Sequence, residues 1–181
     1  LARLGRTMLG RPGIFAQADG ARPGGLFDLM ARERQVSAPA ILEALLVHLG
    51  SIWTGRLSLD GVPLGDTWRH SAIRRADATD GLVPLHKLSQ WLAYSLIEPL
   101  RDAGIGVTAL DGLTGLAEYR NGGLFVDAGV LAPRDLAMMQ RALPVDDEAV
   151  VEWRALTVAL LDRVAPLITE RLGLAPGQLP L

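Results

Sequence analysis

Glu118-Tyr119-Arg120, set between Asp111-Gly112-Leu113-Thr114-Gly115 and Asn121-Gly122-Gly123, is the densest concentration of reactive groups in the sequence. Two carboxylates, a phenol, a guanidinium and an amide stand there among glycines. A carboxylate beside compliant backbone can act as a general base or stabilise a developing positive charge. The same residues also read as an Asx turn at Asp111 and a surface Glu–Arg pair, which contributes little. A second group lies on a helix expected from Pro84 to about Leu96. Leu85, Leu88, Leu92 and Leu96 form its apolar face, widened by Trp91 and Ile97, while Lys87, Gln90 and Tyr94 share another stripe. So apolar a helix should be mostly buried, and buried polar side chains need partners; a solvated polar face is the alternative. The third group is Gly65-Asp66-Thr67-Trp68-Arg69-His70. Asp, Arg and His this close can hold a phosphate or a sugar, or can cap a neighbouring helix. His86 falls in the first turn of the helix at 84–96, and His48 lies off the apolar stripe of its own helix and reads as structural.

Composition narrows the chemistry. The net charge of −2 offers no basic surface for a nucleic acid. The chain has no cysteine and three histidines, which rules out thiolate zinc sites and disulfides and makes a poor ligand set for any catalytic metal. No cofactor motif is present: there is no Walker loop, no G-x-S-x-G elbow and no H-E-x-x-H. No apolar run reaches the length of a membrane span and no signal peptide is visible, so the expectation is a cytoplasmic protein without a membrane partner. Helical spacing of Leu1, Leu4, Met8 and Leu9 begins at the first residue, which is not Met; the chain reads as a piece of a longer protein.

The elements that must position these groups are mostly helical. Residues 10–25, with Asp19-Gly20, read as a loop, and a short helix follows from Leu26 to about Arg34. Ser37 is the N-cap of a helix with Pro39 in its first turn, the stripe Ile41, Leu42, Leu45, Leu46 and Leu49, and Gly50 at its end. A small hairpin is expected over residues 56–64, turning at Asp60-Gly61. Pro99 and Gly104 close the helix that carries Lys87. Gly104, Gly106, Gly112, Gly115, Gly122 and Gly123 imply tight turns, or backbone held close to a ligand. Pro133 and Asp135 open a short helix to about Ala142. Asp146 or Asp147 caps a long last helix with the stripe Val150, Trp153, Leu156, Leu160, Leu161, Val164, Leu167, Ile168 and Leu172, ended by Gly173.

Four stretches carry a resemblance: Leu59-Asp60-Gly61-Val62; Gly65-Asp66-Thr67-Trp68-Arg69-His70; Thr79-Asp80-Gly81-Leu82-Val83-Pro84-Leu85-His86-Lys87-Leu88-Ser89-Gln90-Trp91-Leu92; and Leu110-Asp111-Gly112-Leu113-Thr114-Gly115 through Tyr119 to Asp127. They resemble the uracil-catabolism family of fungi and bacteria, long filed as a domain of unknown function. Members are considerably longer, and this sequence looks like their C-terminal part. The family is implicated in a pathway that activates uracil to a nucleotide, opens the ring and releases urea. A weaker similarity, carried by Lys87-x-x-Gln90, Glu118-Tyr119-Arg120 and Gly129-Val130-Leu131, is to the queuosine-salvage nucleotide hydrolases. Those have a helical fold of DNA-glycosylase-like type and cleave an N-glycosidic bond. They carry Asp-Tyr-Arg where this chain has Glu118-Tyr119-Arg120, and Val-Pro-Gln where it has Asn121-Gly122-Gly123. The first change keeps the acid; the second alters the pocket.

Together the two resemblances imply a single, mainly α domain of DNA-glycosylase-like type with one small β-hairpin. They imply an N-glycoside hydrolase of uracil breakdown that acts on a ribosylated or phosphoribosylated small molecule, with no cofactor and no metal. Glu118 and Asp111 are the catalytic candidates; Lys87, Gln90, Tyr119, Arg120, Asp66, Arg69 and His86 are the substrate-binding ones. The missing N-terminal part, or a second copy of the chain, would be the protein partner. A phosphoribosyltransferase of the same pathway is the alternative enzyme; Val145-Asp146-Asp147 begins like its acidic motif, but Glu148-Ala149-Val150-Val151 continues as a helix start. A non-catalytic partner module in a pathway complex is the other alternative.

Overall fold

Ser37 caps a helix as its position predicts: its hydroxyl accepts from the Ala40 N–H at 3.3 Å, and Pro39 sits in the first turn, where a missing N–H costs nothing. A computed structural model describes residues 1–53, 57–175 and 178 of the chain. Its helices, in order, are α1 (Ala2–Leu9), α2 (Pro12–Phe15), α3 (Gly25–Met30), α4 (Ala38–Leu49), α5 (Lys87–Asp102), α6 (Tyr119–Asp127) and α7 (Glu148–Leu172). The strands are β1 (Ala16–Gln17), β2 (Gly20–Ala21), β3 (Gln35–Ser37), β4 (Ser58–Leu59), β5 (Val62–Pro63), β6 (Thr67–Arg69), β7 (Leu82–Pro84) and β8 (Gly106–Thr108). The protein is mainly α, and among the described residues the strands join in two-stranded pairs. The backbone falls into two compact units. The first comprises Leu1–Asp66 with Leu88–Leu113, the second Thr67–Lys87 with Thr114–Leu181.

In the first unit, Phe15, Ile41, Leu45, Ala93, Leu100 and Val107 form the centre of one apolar cluster. The expected hairpin is present as β4 and β5. Asp60 and Gly61 both take positive φ, 49° and 79°, the conformation a two-residue hairpin turn demands; Arg56, at the start of the expected span, lies outside the described residues. It is not the one hairpin anticipated. Residues 10–25 are not a plain loop: they form α2, which buries Phe15 completely, and a second hairpin, β1 with β2. β3 pairs in parallel with β8, in register Gln35 to Gly106. Three residues per strand are too few for an alternation to show in sequence.

α5 departs from expectation twice. It starts at Lys87 and not at Pro84, because residues 82–84 are paired as β7. It also continues through Pro99 to Asp102, and the turn comes at Gly104 with φ 79°. Its buried face carries Ser89, Gln90, Ala93 and Leu100, while Leu88, Trp91 and Leu92 are exposed. Of the expected stripe, Leu85 is buried and Leu96 and Ile97 pack against the apolar cluster of the first unit, so it is the middle of the stripe that faces outward.

The second unit is built on α7. Asp147 caps it, accepting from the Ala149 N–H at 3.0 Å, and Gly173 ends it with φ 65°. Its buried residues are Val151, Arg154 and Thr157, one step round from the expected apolar stripe; Leu156, Leu167, Ile168 and Leu172 are exposed. Val151 joins Trp68, Leu85 and Ala117 in the core, and β6 and β7 lie antiparallel. α6 was not anticipated: Gly122 and Gly123 read as turn residues, yet both lie inside this helix. The reason is steric. A Cβ on Gly122 would stand 2.7 Å from the Trp153 ring and 2.8 Å from Thr157 Oγ1, so only glycine lets α6 approach α7 this closely.

Gly122→Ala and Gly123→Ala should therefore have opposite signs. At Gly123 nothing lies within 4 Å of an added Cβ, so alanine should stabilise by up to about 1 kcal/mol through helix propensity. At Gly122 the clash should outweigh that gain and cost about 1–3 kcal/mol. Urea unfolding of the two variants checks this; equal effects would show that the close approach is not what glycine serves.

Candidate functional site

Lys87 and Glu118 reach each other from two helix starts within the second unit. β7 leads through Leu85 to His86, whose φ of 48° turns the chain in a left-handed step, and Lys87 opens α5 directly after it. Glu118 is the N-cap of α6, not a loop residue, and its Oε1 accepts from the Tyr119 N–H at 3.0 Å. The Lys87 ammonium forms an ion pair with Glu118 Oε2. The two side chains are 24% and 26% exposed, sheltered enough to matter electrostatically and open enough to be reached.

The environment holds the Glu118 carboxyl below its ordinary pKa. The hydrogen bond from Lys87 is the largest cause; the charge of Lys87, the Tyr119 N–H and the charge of Arg120 act in the same direction, against partial burial. The N-terminus of α6 adds its partial positive charge. The result is a fixed carboxylate anion beside a cation. Arg120 itself is exposed, and Asn121 is turned inward, its amide near the Leu116 carbonyl at 3.4 Å.

Tyr119 and Trp153 stand next to this pair. Their ring centroids are 5.7 Å apart with planes tilted by 38°. Both line a cavity of about 610 Å³ whose walls also include Val126, Leu131, Met138 and Met139, with Arg134, Arg141 and Glu152 among its polar residues. Neither Glu118 nor Lys87 is among its lining residues. Trp153 and the two methionines were not recognised as site candidates from sequence. Trp153 reads there as one more member of an apolar stripe, and the only local signal for it is the glycine pair opposite.

The other candidates have different surroundings. Arg69 donates from Nη1 to the Asp80 carbonyl at 2.7 Å and so holds the loop between β6 and β7. His86 is half-buried and lies before α5, not in its first turn as anticipated. In His70, Nδ1 accepts from the Ala72 N–H at 3.1 Å and Nε2 lies 3.9 Å from Glu152. Asp66, Gln90 and Asp111 belong to the first unit. Gln90 is buried on α5 and Asp111 is exposed in the short turn Leu110–Gly112. Among the described residues, no group of three or more His, Asp or Glu converges to hold a metal ion, and no helix is long and apolar enough to cross a membrane.

A family model described as "Protein of unknown function (DUF1688)" matches residues 1–181. "Uracil catabolism protein 4" of Lachancea kluyveri is 39% identical over 201 aligned positions, covering 95% of this chain and 45% of that protein. "Protein urg3" of Schizosaccharomyces pombe is 44% identical over 132 positions, covering 72% of this chain and 31% of that protein. The chain thus spans less than half the length of these relatives. No solved structure matches it.

A carboxyl whose folded pKa lies below its unfolded value stabilises the fold above the unfolded pKa, about 4.3 for Glu, and loses that contribution as pH falls through the folded value. The stability difference between the natural chain and Glu118→Gln should therefore be present at neutral pH and shrink steadily once pH drops below about 4.3. Thermal melts across the acid range check it. A difference that stays constant into strong acid would mean the Lys87–Glu118 pair does not hold the carboxyl ionised.

Proposed function

The chain belongs to the family described as DUF1688, and from that membership and the Lys87–Glu118 pair we propose that it serves uracil catabolism by cleaving an N-glycosidic C–N bond. The substrate in this reading is a ribosylurea-type nucleotide. The name of the Lachancea kluyveri relative supports the pathway. The single observation that carries the chemistry is a carboxylate kept anionic at a helix N-terminus by a lysine.

Breaking the bond between C1′ and the urea nitrogen sends the bonding electron pair to nitrogen and leaves an oxocarbenium-like sugar. A fixed anion stabilises that cation, and the same carboxylate can accept a proton from the water that adds to C1′. The proton ends on the leaving nitrogen, giving urea and ribose 5-phosphate. Arg120, exposed in the first turn of α6, is the cation available to the phosphate, while Lys87 holds Glu118 in its charged form. Within the second unit, Arg69 and His86 remain the further candidates for holding the substrate. The same reading gives the helices a DNA-glycosylase-like arrangement. It takes the chain as one domain, the C-terminal part of a longer protein, in keeping with the 45% of the relative that it spans.

Glu118→Gln keeps the size and removes the charge. With ribosylurea 5′-phosphate as substrate, urea release should fall roughly a hundredfold or more, the scale of losing one principal electrostatic group. The melting temperature should move by only a few degrees, since a part-exposed ion pair contributes about 1 kcal/mol or less. Near-normal urea release by the variant would overturn the assignment, as would absence of urea release by the natural protein.

A further inference from the structure

The Lys87–Glu118 pair makes no use of the cavity beside Tyr119. At about 610 Å³ it has the size of a small-molecule site. Its walls are unusual in kind. Two aromatic rings, Tyr119 and Trp153, meet at 5.7 Å and offer stacking surface, and Met138 and Met139 bring polarisable thioethers to the same space. An aliphatic ligand would gain nothing from rings that it does not gain from leucine, whereas a flat π-system gains from both. Of the charged residues lining the cavity, Glu152 is engaged by Arg134 at 3.4 Å and lies 3.9 Å from His70. Arg141 has no ion-pair partner among the described residues. Asp135, the other charged residue of the lining, accepts from the Ala137 N–H at 2.9 Å, so Arg141 is the cation left to meet an anionic group on a ligand held by the rings.

The segment after α6 supplies the lining residues of the cavity from Leu131 to Val145. Leu131 is fixed by its N–H to the Phe125 carbonyl at 2.9 Å, but the hydrogen bonds of the following residues are local. The Ala137 and Met138 N–H groups return to Asp135, and Asp147 returns to Pro144. Arg134 to Glu152 is the ion pair that ties this segment to α7.

From the rings, the thioethers and Arg141 together, we infer that this cavity binds an intact planar heteroaromatic ring bearing an anionic group, the chemistry of a nucleoside monophosphate. A ribosylurea has no aromatic ring, so this ligand is a compound other than the substrate proposed above. The two readings stand independently: one rests on Glu118, the other on Tyr119, Trp153 and Arg141.

Calorimetric titration of the chain with uridine 5′-monophosphate, uridine and ribose 5-phosphate tests it. Uridine monophosphate should bind, and ribose 5-phosphate, which lacks the ring, should bind more weakly by roughly tenfold or more, the scale of one base–aromatic stack. Tyr119→Ala, at a ring that is 54% exposed and so removable without unfolding, should lower affinity for the monophosphate by a similar factor. Arg141→Gln should bring the monophosphate down to the affinity of uridine. Four results would overturn the inference: no binding of any probe, ribose 5-phosphate binding as tightly as the nucleotide, an unaffected Tyr119→Ala, or a dimer in solution that Tyr119→Ala dissociates, which would make a second copy the occupant.

Discussion

Glu118 and Tyr119, the groups at the start of α6, are placed by how closely α6 lies on α7. The approach is set at Gly122, where any side chain would meet the Trp153 ring and Thr157, and again at Gly115, where a Cβ would stand 3.0 Å from the Leu161 side chain. Between these two glycines the chain starts α6. Glu118 is the residue at that start, so its carboxylate emerges where the free N–H groups of α6 begin. Tyr119 follows with its ring against Trp153. Two glycines that look like flexibility in the sequence are in the structure the condition for rigid placement.

That placement decides which kind of chemistry the carboxylate suits. Lys87 occupies Oε2, and the Tyr119 N–H occupies one side of Oε1. A carboxylate so engaged keeps its charge at neutral pH but is a weaker proton acceptor than a free one. Stabilising a passing positive charge needs the charge alone; abstracting a proton needs basicity. The geometry therefore suits a reaction with a cationic transition state better than one that depends on strong base catalysis. Glycosidic cleavage is of the first kind.

Local chemistry was legible in the sequence, and long-range packing was not. The cap at Ser37, the turn at Asp60-Gly61, the cap at Asp147 and the stop at Gly173 depend on residues within four positions of each other, and all are as read. The phases of α5 and α7 were misread because each helix carries more apolar residues than its packed face can use. Burying Gln90 or Arg154 while exposing Leu92 or Leu156 is a decision made by neighbours distant in sequence. α6 was hidden because helix propensity counts against its two glycines, whereas the tertiary contact at Gly122 requires one of them. The pairing of Lys87 with Glu118 was reached through resemblance to a motif. Spacing alone gave no reason to join the two, and the resemblance set them beside Asp66, Gln90 and Asp111, which fall in the other unit.

Trp153 carries the same conflict to a single atom. Its indole N–H is buried and has no acceptor among the described residues. The Thr157 hydroxyl, on the next turn of α7, donates to the Trp153 carbonyl at 2.7 Å. An unmet buried donor costs about 1–3 kcal/mol, and a phenylalanine would fill much of the same space without that cost. Stability alone thus gives no reason for an indole here. What the indole adds over a phenyl ring is a larger, more electron-rich face, and that face lines the cavity beside Tyr119. The orphaned N–H is consistent with a ring kept for the surface it presents rather than for the bond it could make.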